Sequence, residues 1–324
     1  MQQLRGPSVA GRLIISLVVG VLALLAAAAP AAAAGPLDWL DGERATDWGQ
    51  VPPPDPAPQP APASTPSPAP APTPTATPTR TATPAPAEEA IGYDISYPQC
   101  GDAYPESPAF GIVGVNGGRV FSQNPCLGVG DEPSQLEWAG EDAELYFNTG
   151  NPGPRLSRFW PSGQAEPRAC DTRSQRGEDT LDCAYVYGWN AAEYAYRNAL
   201  RAFVELEWAD ADADRLPGDT TIWLDVEPAN SWRDDRRLNV ATLEGAVAYL
   251  ESMEVDRIGF YSTPRLWNRI TGGTDRFSDY PAWHAGARDR ADAERRCGER
   301  GFTGGELAMV QWIEDGFDAN HRCR

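Results

Sequence analysis

Short runs of β-branched and aromatic residues alternate with helical patterns from residue 91 to residue 324. The runs stop at Gly, Pro, Asn or Asp, which is typical of strands, and between them apolar residues recur at three- and four-residue spacing, which predicts helices. The predicted strands cover residues 91–97, 110–116, 144–148, 221–227, 257–262, 282–285 and 307–313, and the predicted helices cover residues 190–208, 240–253, 266–270 and 291–297.

This order of elements predicts an α/β fold. Strands that alternate with helices form a mostly parallel sheet, because each helix carries the chain back to the edge where the next strand starts. Residues 91–324 make up 234 residues, a length that fits one single-domain (β/α) barrel. We therefore predict a closed TIM-like barrel, with an open parallel sheet as the alternative.

The first 34 residues have the pattern of a secretory signal peptide. Arg5 and Arg12 precede an apolar run that starts at Leu13 and ends in small residues, with a cleavage site predicted after Ala34. The alternative is an uncleaved membrane anchor, because residues 13–34 are 22 residues long, enough to span a bilayer.

A proline-rich segment separates this leader from the predicted barrel. Residues 51–86 contain 15 of the 31 prolines, mixed with Ala, Thr and Ser. Such a segment buries too little apolar surface to fold, so residues 51–90 are predicted to be an extended linker. Residues 35–50 form a short acidic stub before it.

The charge balance excludes several classes of protein. The chain has 46 acidic and 27 basic residues, a formal charge of −19, and every basic residue is Arg. Residues 91–324 alone hold 39 acidic residues and 23 arginines, a charge of −16. Such a field repels nucleic acid, and the absence of Lys excludes Schiff-base and P-loop chemistry. With only His284 and His321, a zinc hydrolase is disfavoured. We expect no cofactor and no metal.

All six cysteines lie in the predicted barrel domain. An even number in an exported chain predicts three disulfides. We predict nearest-neighbour pairing among the 15 possible connectivities. The cysteines are Cys100, Cys126, Cys170, Cys183, Cys297 and Cys323.

The predicted strand over residues 221–227 carries the first candidate chemistry. Side chains alternate between the faces of a strand, so Trp223, Asp225 and Glu227 share the face that points to the barrel axis. Two carboxyl groups at the C-terminal mouth repel each other, so one is expected to keep a proton and act as a general acid. This arrangement suits glycoside hydrolysis. A structural acidic pair that binds loop amides explains the pattern equally well.

Two further acids are expected at the same mouth. Asp94 lies on the first predicted strand, and Asp318 lies just past the last one. The first and last strands are neighbours in a closed barrel, so acids that are remote in sequence are brought to one site. The C-terminal mouth is where barrels of this kind keep their catalytic residues.

Five motifs follow one another along the predicted barrel. They lie at residues 92–99 (GYDISYPQ), 224–227 (LDVE), 259–262 (GFYS), 310–312 (VQW) and 317–320 (FDAN). Together these motifs resemble the glycoside hydrolase family 25 lysozymes, which are muramidases. The resemblance spans residues 91–324 and implies that Glu227 is the acid, Asp225 its acidic neighbour, Asp94 and Asp318 further active-site acids and Tyr261 a sugar contact, with net retention of configuration.

The chain departs from the family pattern in two strands. The second strand ends in Val115-Asn116-Gly117-Gly118-Arg119 rather than Ala-Thr-Glu-Gly, and the third has Tyr146-Phe147-Asn148 rather than Tyr-His-Phe. Insertions that carry Cys126, Cys170 and Cys183 are expected to reshape the rim of the cleft. The sequence also fits a divergent glycoside-hydrolase-like branch.

Several residues near the predicted strand ends are candidates for binding sugar. Trp283 and Trp312 are expected to be exposed and to stack on sugar rings, although packing in the core is the more common role of Trp. Asn116 and Asn148 suit an N-acetyl or hydroxyl group, or else turn capping. The full set of candidates is Tyr97, Asn116, Tyr146, Asn148, Tyr261, Trp283, Gln311 and Trp312.

An acidic segment also resembles the start of a calcium loop. It contains Asp210, Asp212 and Asp214, but Arg215 stands where the loop requires Gly and Thr221 where it requires Glu. We interpret it as a solvated acidic loop.

The sequence therefore predicts a secreted or wall-associated monomeric glycosidase-like barrel on a proline-rich stalk. Its expected partner is a polysaccharide such as peptidoglycan, with no nucleic acid and no membrane after cleavage of the leader. Two alternatives stay open, namely a non-catalytic barrel that binds glycan or a wall protein, and a structural or adhesive module.

Overall fold

The computed structural model describes residues 91–128, 133–170, 177–209 and 215–323, and these form a closed eight-stranded barrel surrounded by helices. The strands are β1 (Gly92–Ile95), β2 (Gly111–Gly114), β3 (Glu144–Asn148), β4 (Thr221–Asp225), β5 (Arg257–Ser262), β6 (Ala282–His284), β7 (Leu307–Glu314) and β8 (Phe317–Arg322). The α-helices are α1 (Gln135–Ala139), α2 (Leu181–Glu205), α3 (Arg236–Ser252), α4 (Pro264–Thr271) and α5 (Arg290–Arg296). The predicted barrel is confirmed.

The barrel is mixed rather than fully parallel. Strands β1 to β7 pair in parallel in chain order, whereas β8 runs antiparallel to both β7 and β1 and closes the sheet. The prediction that the strand over residues 307–313 is the last one is wrong, because a tight turn at Asp315 and Gly316 reverses the chain into β8. Asp318 consequently lies on a strand and not past one.

Aromatic side chains fill the barrel interior. The rings of Trp223 on β4 and Trp283 on β6 lie 5.7 Å apart, and both are almost fully buried together with Met309. Gly259 on β5 leaves room for them, since a Cβ atom there would lie 2.2 Å from the Trp223 ring. The barrel interior is thus a packed core and not a pore.

Helix α2 is the longest helix and begins nine residues before the predicted start at residue 190. The Thr180 side chain accepts a hydrogen bond from the Cys183 main-chain nitrogen at 3.2 Å and caps it. Its early part contains Gly188, which lowers helix propensity and hides the pattern in the sequence. Gly188 packs against α3, where a Cβ atom would lie 1.8 Å from the Thr242 carbonyl oxygen.

Three disulfides brace the domain, and all three join nearest neighbours along the chain as predicted. The first connects the loops after β1 and β2. The second connects Cys170, in the loop after β3, to α2, and the third connects the end of α5 to the end of β8. The pairs are Cys100–Cys126, Cys170–Cys183 and Cys297–Cys323. This number of disulfides is typical of proteins that fold in oxidising compartments.

Some predictions fall on residues that the structure does not describe. The signal peptide, the acidic stub and the linker all precede residue 91, and Asp210, Asp212 and Asp214 lie in the 210–214 gap. In the part of the chain that is described, no helix combines the length and the apolar character needed to cross a membrane.

Candidate active site

Four carboxyl groups meet at the end of the barrel where the parallel strands finish. Asp94 lies on β1, Asp225 is the last residue of β4, and Glu227 follows two residues later. Asp318 is the second residue of β8 and faces Asp94 in the strand register. The predicted strand over 221–227 ends at Asp225, so Glu227 projects from the loop above the strand. The structure therefore brings together the four acids that the sequence singles out.

Asp94 is buried, with 8% of its surface exposed. Its Oδ2 atom accepts hydrogen bonds from Gln311 Nε2 at 2.9 Å and from Asn320 Nδ2 at 2.7 Å. Burial, and then the negative charge of Asp318, raise the pKa of Asp94 to about 8, against the lowering effect of the two amide donors. Asp94 therefore holds a proton near neutral pH.

Asp225 is similarly enclosed, with 5% of its surface exposed. Asn148 donates a short hydrogen bond from Nδ2 to Oδ2, while Oδ1 is buried with no hydrogen-bond partner among the described residues. Burial, followed by repulsion from Glu227, raises the pKa of Asp225 well above its ordinary value. The unsatisfied oxygen marks a place where an incoming donor would be stabilised.

Glu227 and Asp318 are half-buried and so remain within reach of a ligand. Burial, and then repulsion from Asp318, raise the pKa of the Glu227 carboxyl. Burial also raises the pKa of Asp318. The main-chain oxygen of Glu227 accepts a hydrogen bond from Trp232 Nε1 at 2.7 Å, which fixes the loop that carries it.

The four acids are suited to proton transfer. Four like charges in a partly desolvated mouth do not all ionise near neutral pH, so the group retains protons as a set. Asp94 and Asp225 are enclosed. Glu227 and Asp318 are thus the two acids of the set that a bound molecule can reach.

Three of the predicted sugar-binding residues connect to these acids through hydrogen bonds, namely Tyr261, Gln311 and Asn148. Tyr261 donates its hydroxyl hydrogen bond to Gln311 Oε1 at 2.9 Å, and Gln311 in turn holds Asp94. The Tyr146 hydroxyl bonds to Ser96, and burial raises the pKa of that hydroxyl well above its ordinary value. Tyr97 lies in a 3₁₀ turn at Tyr97–Gln99 and is 45% exposed.

The expected exposure of Trp283 and Trp312 is wrong. Trp283 is only 1% exposed, because its ring lies inside the barrel and its Nε1 donates to Asn320 Oδ1 at 2.8 Å. Trp312 is 3% exposed and packs outside β7 in the cluster that includes Ala293 of α5. Neither ring is open to a sugar.

Asn116 bonds to the main chain of Asn148 at the end of β3, so it neither caps a local turn nor presents its amide to a ligand. Its Oδ1 accepts from the Asn148 main-chain nitrogen at 3.1 Å, and its Nδ2 donates to the Asn148 main-chain oxygen at 3.4 Å. Asn116 is 3% exposed. It therefore positions Asn148, whose own side chain holds Asp225.

Asn320 is the site residue that sequence reasoning missed. It is fully buried, donates to Asp94 Oδ2 and accepts from Trp283. Its place two residues after Asp318 would have put it on the same face of a strand, had β8 been predicted. Among the described residues, no group of three or more His, Cys, Asp or Glu side chains is placed to hold a metal ion.

Comparison with known proteins gives matches to lysozymes. A family model described as Lysozyme-like protein 1 matches residues 218–296. Two proteins of Dictyostelium discoideum, named probable GH family 25 lysozyme 4 and probable GH family 25 lysozyme 2, are each 38% identical over 64 residues, which is 20% of this chain and 29% of each relative. The match thus spans less than a third of the length of these curated relatives.

Two of the solved structures that match this chain are those of a muramidase and a lysozyme. The muramidase from Trichobolus zukalii is 17% identical, covering 72% of this chain and 93% of that one, with a TM-score of 0.43. The family GH25 lysozyme from Aspergillus fumigatus is 15% identical, covering 71% and 92%, with a TM-score of 0.39. The 218–296 match contains Asp225, Glu227 and Tyr261. The resemblance to the family 25 lysozymes that the sequence motifs predict is therefore confirmed over residues 218–296.

Proposed function

We propose that this protein is a glycoside hydrolase that cleaves peptidoglycan or a related amino-sugar glycan of a cell wall. The observation that carries the proposal is the meeting of Asp94, Asp225, Glu227 and Asp318 at one barrel mouth, with Glu227 and Asp318 accessible. The likeness to lysozymes over residues 218–296 supports a peptidoglycan substrate.

In this proposal Glu227 donates its proton to the glycosidic oxygen as the bond breaks. Burial and the negative charge of Asp318 raise the pKa of Glu227, which favours the protonated form that a general acid needs. Asp225 stabilises the positive charge that develops on the sugar or orients its acetamido group, and Asn148 holds it in place. Asp94 and Asp318 contribute to the electrostatic field at Glu227 and Asp225 and hold the substrate. The family resemblance implies retention of configuration.

The proposed organisation of the whole chain places this catalytic domain outside the cell. Residues 1–34 act as a signal peptide, residues 35–50 as an acidic stub, and residues 51–90 as a proline-rich linker to the barrel at 91–324. The three disulfides support an extracellular location. The domain acts as a monomer.

The test is the release of reducing ends from purified peptidoglycan by the wild type and by Glu227→Gln. The variant keeps the shape of the side chain but has no proton to donate, so the rate should fall by about 10²- to 10⁴-fold. Its thermal unfolding should stay close to that of the wild type. Glu299→Gln, an exposed glutamate away from the site, is the matched control.

Undiminished activity in Glu227→Gln would overturn the assignment of the acid. Tight glycan binding by the wild type without turnover of any wall polysaccharide would instead favour the non-catalytic barrel that binds glycan.

A further inference from the structure

A cavity of about 280 Å³ lies beside the loop that carries Glu227 and has no part in the reaction described above. It is formed by the loop between β4 and α3 together with the end of α4. Pro228, which lines it, directly follows Glu227, and Trp232 in its wall donates the hydrogen bond to the Glu227 main-chain oxygen. A molecule bound at Glu227 is thus in a position to extend a branch into this cavity.

The walls of the cavity are cationic. Arg233, Arg236 and Arg269 line it, against one carboxylate, Asp234. The Arg233 guanidinium is held by Asp179, with Nη1 and Oδ1 2.9 Å apart. Arg236 and Arg269 are exposed, and neither forms an ion pair or side-chain hydrogen bond with any residue that the structure describes. Two guanidinium groups are therefore free to bind an anion in a domain whose formal charge is −16.

The cavity also offers an apolar surface. The half-buried Trp232 ring lines it beside the arginines. Guanidinium groups beside an apolar wall together suit a carboxylate on a short aliphatic chain.

We propose that this cavity, defined by Asn230, Trp232, Arg233, Arg236 and Arg269, binds a carboxylate of the peptide stem carried by the amino sugar of the wall glycan. The proposal rests on the proposed function and names the part of the substrate that this chain recognises. A volume of 280 Å³ lies just below the range of about 300–1,000 Å³ for pockets that enclose small ligands, so it suits one or two amino-acid residues rather than a sugar chain.

The inference also explains how an acidic domain tolerates an acidic substrate. The four carboxyl groups of the site repel a stem carboxylate, and the net charge of the domain adds no long-range attraction. A local pair of free arginines beside the acids supplies an attractive site for the charged branch, while the uncharged sugar rings occupy the acid mouth.

The test is the binding of soluble glycan fragments to the Glu227→Gln protein by isothermal titration calorimetry. Three matched ligands are compared, namely fragments that carry stem peptides, the same fragments with the stem carboxylates converted to amides, and fragments stripped of peptide by an amidase. The variant is Arg236→Gln combined with Arg269→Gln. The control is Arg265→Gln, which removes a charge from α4 at an exposed position outside the cavity lining.

The double variant should weaken binding of the peptide-bearing fragment by at least about ten-fold, as expected for loss of charge-assisted hydrogen bonds. The affinity of the double variant for the amidated and stripped fragments should differ from that of the parent protein by less than about two-fold. Retained binding of these two ligands also shows that the double variant is folded. Arg265→Gln should leave all three affinities unchanged. Weakening of binding to all three ligands alike, or to none, would overturn the proposal.

The two proposals fail differently. Hydrolysis of peptidoglycan that is insensitive to Arg236 and Arg269, with no preference for charged stems, would remove the carboxylate site and leave the proposed function. A preference for charged stems that depends on these arginines, without any turnover by the wild type, would remove hydrolysis and leave the carboxylate site. Absence of binding to any fragment would overturn both.

Discussion

Asn320 Nδ2 donates a hydrogen bond to Asp94 Oδ2 at 2.7 Å across the antiparallel pair of β8 and β1. The orientation of the Asn320 amide is set from the other side, because Trp283 Nε1 donates to its Oδ1 at 2.8 Å. The buried aromatic core of the barrel thereby fixes which way the amide points. Asn320 acts on the acid mouth as a positioning residue.

Asn320→Ala is expected to destabilise the protein. The substitution leaves the buried Trp283 N–H without an acceptor and removes one of the two donors to Asp94, a loss of about 1–3 kcal/mol in the free energy of unfolding. It should also raise the pKa of Asp94 further, because the amide donor lowers it. Urea unfolding at pH 6 measures the first effect, with Asn268→Ala, at an exposed position, as the control. Equal stability of Asn320→Ala and wild type would contradict the role of this amide.

Stability should fall as the pH rises from about 4 to about 8. The folded protein keeps a proton on Asp94 up to its pKa of about 8, whereas the unfolded chain releases it near the ordinary value of about 4. The folded state therefore binds more protons across this window, and the free energy of unfolding falls by up to about 1.4 kcal/mol per pH unit for this group. Its stabilising contribution is fully present below about pH 4 and lost by about pH 8.

Asp94→Asn should flatten this pH dependence, because the amide cannot ionise while its oxygen still accepts from Gln311 and Asn320. The melting temperatures of both proteins between pH 4 and pH 9 provide the comparison. Asp256→Asn, at an exposed position, should leave the slope unchanged. If the melting temperatures of the wild type and of Asp94→Asn depend on pH in the same way, Asp94 ionises near its ordinary pKa in the folded protein.

Gly188→Ala should destabilise the protein by more than about 2 kcal/mol, although Ala favours helices over Gly by about 1 kcal/mol. The new Cβ would lie 1.8 Å from the Thr242 carbonyl oxygen, so α2 and α3 must separate. Gly298→Ala is the control, because the nearest atom to its Cβ is 3.8 Å away. Chemical denaturation of both variants gives the comparison, and a neutral Gly188→Ala would mean that the two helices are less tightly packed than described.

Period-two alternation along the strand predicted over residues 221–227 indicated the inward-facing Asp225, although the strand ends there and Glu227 lies in the loop beyond it. The closure of the barrel brings Asp318 beside Asp94 as the sequence predicts. Alternation gives the face of a side chain but not what covers it. The burial of Trp283 depends on Trp223 from another strand, and the burial of Trp312 depends on α5. The burial of these two rings therefore cannot be predicted from their neighbours in sequence.

The missed strand β8 had a local signal. Asp315 and Gly316 both have positive φ, 50° and 90°, which is the conformation of a two-residue hairpin turn, and Asp-Gly is a preferred pair there. The following Phe317, Ala319 and His321 alternate with polar residues. If all strands of the barrel are assumed to be parallel, the motif FDAN is instead predicted to be a terminal loop. The alternation of strands and helices gives no indication that the last strand is antiparallel.

The reversed direction of β8 has a practical consequence for handling the protein. The strand starts beside the acids at Asp318 and ends at the opposite rim, where Arg322 bonds to Glu144 at 2.6 Å and Cys323 is anchored to Cys297. A fusion partner or resin linker joined beyond β8 would therefore be attached at the end of the barrel opposite the four acids. Protein immobilised in this way should present its mouth to bulky particulate material without obstruction.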